Sequence, residues 1–222
     1  MNPSLRIFLH SVRRLIIGTL LFVLPVAIFY LDACSGSGVS EGRCVESAQI
    51  GALCLSGVLL SIAAWRSSRR ADGLATALVC VSLGVGLMTI RELDGFFDKA
   101  LSHGSWKWFT LPFLLGAVAI VACNRMKWID SVAALLETRT GFLLEVFLLT
   151  LLVFSRLFGI KAIWTELFTQ TITPQLTDEQ APLAARIAKN AVEEVCELFA
   201  YMLLVAASIE SLLGRRDPGP RG

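Results

Sequence analysis

Residues 190–213 read NAVEEVCELFAYMLLVAASIESLL, an apolar run of membrane-spanning length with three glutamates in its first third. At about 100° per residue, Glu193, Glu194, Glu197, Tyr201 and Ser208 fall within roughly 100° of Asn190 and of one another, while Glu210 falls nearly opposite. Such a polar stripe faces other helices or a wet cavity rather than lipid. At about 1.5 Å rise per residue, Glu197 lies roughly 10 Å past Asn190 and is the acid placed deepest. The alternative is a span that starts near Leu198 and leaves the glutamates among the headgroups.

The rest of the chain repeats the apolar theme. It has 222 residues, 55% of them hydrophobic and 17% charged, against about 25% charged in soluble domains. The excess is gathered into blocks, as a bilayer requires of its helices. Six blocks are read, at about residues 15–31, 50–65, 74–90, 108–123, 141–158 and 191–213. The expected fold is therefore an all-α integral membrane protein, a single six-helix transmembrane domain over residues 1–222, with residues 214–222 as a cytoplasmic tail. The net charge of +2 gives no reason to expect nucleic acid as a partner; the lipid bilayer is the first partner implied.

Basic residues set the orientation. Arg6, Arg13 and Arg14, then Arg66, Arg69 and Arg70, then Arg125, Lys127 and Arg139, then Arg215, Arg216 and Arg221 all fall on one side of a six-span chain. The positive-inside rule places that side, with both termini, in the cytoplasm of a bacterial-type inner (plasma) membrane. Trp65 and Trp128 then mark the inner interface, and Trp106, Trp108 and Trp164 the outer one. The first block ends LDAC, which resembles a lipoprotein cleavage box, but Asp32 is a poor fit inside one and the block reads as a true span. Cys34 and Cys44 share the first outer loop, where an oxidising compartment permits a bridge; two free thiols are the alternative. Cys54, Cys80, Cys123 and Cys196 lie in spans as small apolar residues.

Further charge collects near the acids of the last span. Arg156, at the matching end of the fifth block, is the expected counter-charge to Glu197 or Glu194. After the third block the chain reads RELDGFFDKALSHGSWKW. Arg91, Asp94 and Asp98 stand at i, i+3 and i+7 on one helical face, with Leu93, Phe96, Phe97 and Leu101 as the apolar side. That pattern predicts a short amphipathic helix at the outer interface. The polar group on the outer side then comprises Arg91, Glu92, Asp94, Asp98, His103, Arg156, Glu193, Glu194 and Glu197, continued inward by Tyr201. Gly57 with Ser61, and Ser82 with Gly86, have the four-residue spacing of close helix approach.

Three functions suit this pattern. Intramembrane carboxylates beside arginine serve proton- or cation-linked transport or channel activity, the preferred reading. A non-catalytic subunit of a membrane complex, as a homo-oligomer or with another membrane protein, is the second. A metal-dependent membrane hydrolase acting on a lipid is the third, with Glu193, Glu197 and His103 as metal candidates. No HExxH pair and no serine nucleophile elbow occurs in the sequence, and no residue is assigned a catalytic role.

Overall fold

The computed structural model describes residues 12, 16, 18–21, 23–31, 44–167 and 180–213. Among them every element is helical and no strand occurs. The first is a short apolar helix, α1 (Gly18–Leu31). It is followed by α2 (Cys44–Arg70), α3 (Ala75–Glu92), α4 (Asp94–Ala100), α5 (Trp106–Cys123), α6 (Arg125–Leu136) and α7 (Arg139–Leu149). A π-helical turn over Thr150–Phe154 leads into α8 (Ser155–Phe158), then α9 (Lys161–Leu167) and α10 (Gln180–Leu213).

Among the described residues, five helices are long and apolar enough to cross a membrane: α2, α3, α5, the run Arg139–Leu157, and Pro182–Leu213 within α10. These match five of the six expected blocks, with longer ends; the first block corresponds to α1, which is shorter. Two helices extend furthest beyond their apolar blocks. In α2, polar residues such as Glu46 and Arg69 join the first and last turns, where they complement the helix dipole. In α10, Pro182 stands in the first turn, where its missing N–H costs the helix nothing. The segment before the acids is thus continuous with the last long helix. Residues 125–136, expected as a connection, form α6.

Backbone contacts divide the chain into two compact units. In the unit of Ala48–Phe147 with Leu203–Gly222, the core holds Leu53, Leu60, Leu78, Val85, Leu135, Leu144, Phe147 and Leu204. The small residues seen in the sequence lie at close helix contacts. A Cβ on Gly57 would sit 3.7 Å from Val85. Beside it, the hydroxyls of Ser61 and Ser82 lie 2.7 Å apart and both reach the Gly57 carbonyl, at 2.8 and 3.3 Å. Gly86 receives the ring of Phe113 from α5, so closely that a Cβ there would lie 2.4 Å from it. No residue of α5 is itself buried; its outward side shows Trp108, Leu111, Leu114, Leu115 and Val118. An apolar exposed face of this kind is consistent with a membrane protein.

Polar side chains finish the helix ends of this unit. The α2–α3 turn uses positive φ at Ala71 and Gly73, and Asp72 accepts the Leu74 N–H at 3.1 Å and the Ser67 hydroxyl. Leu74 cannot cap α3, so Ser131 of α6 does so from a distance, its Oγ accepting the Ala77 N–H at 2.9 Å. Thr138 caps α7: its Oγ1 accepts the Gly141 N–H at 3.1 Å and donates to the Leu135 carbonyl at 2.6 Å. The α6–α7 corner is so tight that a Cβ on Gly141 would lie 2.2 Å from the Leu135 carbonyl oxygen.

The other unit comprises Met1–Ser47 with Leu148–Met202, and Pro25, Val45, Ala185, Leu198, Ala200 and Tyr201 are buried in it. The expected Cys34–Cys44 bridge involves Cys34, which lies outside the described residues.

Two substitutions test these corners. Gly141→Ala meets main chain that cannot swing aside, and is expected to destabilise by about 1–3 kcal/mol or more. Ser131→Ala removes the borrowed cap and is expected to cost about 1 kcal/mol. Thermal unfolding of the purified variants in one detergent checks both, with Gly141→Ala the more harmful.

Candidate functional site

The acids of α10 meet the chain just after the π turn. That turn replaces the i→i+4 bonding of α7 over five residues, a feature frequent at functional sites. It ends at Ser155, which is fully buried. Ser155 Oγ donates to Glu197 Oε1 at 3.0 Å, and Glu197 is only 7% exposed. Arg156, the next residue on the helix, is rotated by about 100° and turns outward, its side chain 59% exposed.

Glu193, one turn before Glu197, has two cationic partners. Arg156 Nη1 lies 3.7 Å from Oε1, and Lys189 Nζ lies 2.9 Å from Oε2. The carboxylate also lies against Gly159, where a Cβ would come within 3.1 Å of Oε1. Glycine there lets the carboxyl approach the main chain after α8. The expected partner of Arg156 is thereby corrected: the guanidinium meets Glu193, one turn closer to the start of α10 than Glu197. The reason is adjacency, since Ser155 and Arg156 cannot both face inward.

Lys189, Glu193, Glu197 and Tyr201 stand at four-residue intervals on α10, about 6 Å of rise apart. Exposure declines along the series to Tyr201, which is fully buried. Glu194 is half-buried. Ser208 does not extend the polar series, because its hydroxyl donates to the Leu204 carbonyl at 2.7 Å.

The residues after α3 form a local structure of their own. The expected single face of Arg91, Asp94 and Asp98 is broken at Leu93, where the backbone leaves helical geometry between α3 and α4. Arg91 pairs with Glu92 at 3.7 Å, and Asp94 is exposed. Phe97 stacks on Phe109 at 4.6 Å, and Phe96 is exposed. Asp98 closes the loop: Oδ1 accepts the Gly104 N–H at 2.8 Å and Oδ2 lies 2.7 Å from His103 Nδ1. Gly104 has φ +80°, open to glycine at little strain. The Gly104 N–H chiefly, with His103 and Lys107 adding to it, holds the Asp98 carboxyl below its ordinary range.

His103 is 98% exposed and its ring is engaged by Asp98. Among the described residues, no group of three or more His, Cys, Asp or Glu side chains is placed to hold a metal ion. The metal-candidate set of Glu193, Glu197 and His103 gains no support from the geometry.

Sequence reasoning had marked Glu193, Glu194, Glu197, Tyr201 and Arg156, but not Ser155, Lys189 or Gly159. The i, i+4 spacing of Lys189 and Glu193 was a readable signal. Ser155 and Gly159 carried none, because a π turn leaves no mark in the sequence. Comparison of the chain with protein-family models, with curated proteins and with solved structures gives no match to any of them.

A pH experiment tests the loop clasp. Because the folded-state value of Asp98 is lowered, its stabilising contribution is complete above the unfolded-chain value near about 3.9 and is lost as pH falls through the folded value. Hydrogen exchange at the Gly104 amide is the measurement. Protection is expected to hold from neutral pH down to about pH 4 and to fall below it. Asp98→Asn is expected to expose that amide already at neutral pH.

Proposed function

We propose that the chain is a multi-pass inner-membrane protein with proton- or cation-linked transport or channel activity, centred on Glu197. In this reading both termini are cytoplasmic, α1 supplies a sixth span, and the acids of α10 lie in the outer half of the membrane. The observation that carries it is a buried carboxyl hydrogen-bonded to Ser155, one turn beyond a carboxylate clamped by two cations.

The chemistry follows from the two forms of a carboxyl group. As a carboxylate, Glu197 accepts from the Ser155 hydroxyl; as a carboxylic acid it donates, and the hydroxyl turns round to accept. One fixed pair therefore serves both protonation states without a change of fold. Glu193, partly exposed and neutralised by Arg156 and Lys189, stands between water and Glu197 as an entry point. Tyr201, one turn deeper, continues the series with a group that also donates and accepts. Intramembrane acids with such partners are used as proton relays and cation sites.

Reconstituted vesicles holding an internal pH dye test the reading. Wild-type protein is expected to carry acid into the lumen under an imposed gradient. Glu197→Gln, which keeps the shape but cannot ionise, is expected to reduce the rate on the order of tenfold or more. Ser155→Ala is expected to give a smaller loss, and Asp130→Asn, on the exposed side of α6, none. No flux above empty vesicles with proton, sodium or potassium gradients, or flux unchanged in Glu197→Gln, refutes the proposal.

A further inference from the structure

The first half of the run Arg139–Leu157 carries an acid on the wrong side. The buried residues of α7 are Thr140, Gly141, Leu144 and Phe147, which share one face. The adjoining side of the helix exposes Phe142, Leu148 and Leu149, and in their midst Glu145. No hydrogen bond or ion pair from the described residues reaches Glu145. The level of the helix start is marked by Arg139, half exposed and 3.5 Å from Glu210. Glu145 lies six residues further on, about 9 Å deeper along the helix.

An acid in that position is not explained by the described residues of this chain. Acids inside spans face the protein interior or a wet cavity and pair there. Lysine and arginine escape by reaching to the interface along their stems, but glutamate has too short a stem to do so past the turns on either side. Phe142 on one side and Leu148 and Leu149 on the other would set Glu145 against lipid chains. The face is complete only if something polar and positive covers it.

We propose that the α7 face centred on Glu145 is a docking site for a transmembrane helix of another membrane protein, one that presents a lysine or arginine at the depth of Glu145. Charge complementarity selects this occupant over a second copy. The candidate spans of this chain carry their cations in their end turns, as Arg66, Arg69, Arg70, Arg91, Lys107, Arg139, Arg156 and, in the first turns of the long last span, Arg186 and Lys189, the latter already paired with Glu193. Two copies related by an axis along the membrane normal keep each residue at its own depth, so Glu145 would meet another Glu145 or an apolar side chain. The inference stands without the transport reading, because it uses no residue of the Glu197 site.

A model helix serves as the probe. The full chain, labelled with a donor fluorophore, is placed in phosphatidylcholine vesicles with acceptor-labelled polyleucine peptides of one span. One peptide is all leucine, and the other carries a single lysine six residues from its inner end. The lysine peptide is expected to associate about three- to tenfold more tightly than the leucine peptide, the range of polar contacts between membrane helices. That preference is expected to vanish in Glu145→Gln and to persist in Glu137→Gln.

Equal association of the two peptides with wild-type protein overturns the proposal and needs no variant to do so. A lysine preference that survives in Glu145→Gln overturns it as well. Energy transfer between differently labelled copies of the chain, present without peptide and lost in Glu145→Gln, assigns the face to a second copy and equally overturns it. Transport measured on the same samples reads the Glu197 proposal separately.

Discussion

The constraint on which this molecule turns is the burial of a carboxyl group. Glu197 is kept from water in α10 and given one hydroxyl, that of Ser155, as its partner. A bare carboxylate in an apolar interior is costly enough that its surroundings must be built around it. The neighbouring features follow from that need. The π turn delivers Ser155 inward, adjacency then sends Arg156 outward, and Gly159 leaves room for the Glu193 carboxylate beside the main chain. Losing the Ser155 hydroxyl would leave the buried Glu197 without its described partner, whereas Glu193 would keep Lys189 if Arg156 were lost.

The unit built on α2, α3, α5 and α6 obeys the same rule for main-chain groups. Small residues and hydrogen bonds set its helix contacts, the mode of packing common between apolar helices of membrane proteins. Gly57 and Gly86 admit Val85 and Phe113, and the Ser61–Ser82 pair sits over the Gly57 carbonyl. The free N–H groups at the start of α3 are met from α6 by Ser131, and the turn into α7 by Thr138. Gly141 has no room for even a methyl group. The absence of a side chain there is what lets the α6–α7 corner close.

Much of this was readable from residue order, for a physical reason: apolar length and helical period are local properties. The five long helices, the short helix around Phe96 and Phe97, the small-residue seam and the inward stripe of Glu197 and Tyr201 all follow from such patterns. What escaped depends on breaks in the pattern or on distant partners. The Leu93 break split a face that ideal periodicity would have kept whole, and turned Asp98 to the loop at Gly104. The π turn changed the register of the fifth block, so the residue reaching Glu197 was Ser155 and not its charged neighbour. α6 was missed because its Arg and Lys residues read as the charges of a loop, although its Ser131 and Leu135 form a buried side.

Polar groups in the long helices therefore sort by how they are satisfied. Thr89 and Ser208 bond to their own helix backbone, at 2.9 and 2.7 Å, and need nothing else. Glu193 is met by two cations and Glu197 by a hydroxyl. Ser56 is a fully buried hydroxyl with no hydrogen-bond partner among the described residues, a modest cost for a neutral group that packs like a small residue. Glu145 fits none of these arrangements, and the difference is one of chemistry. An orphan hydroxyl is tolerable in an apolar setting, whereas an unpaired carboxylate there is costly. Glu145 is thus the exception among the acids of the described long helices, exposed and without a hydrogen bond or ion pair from the described residues.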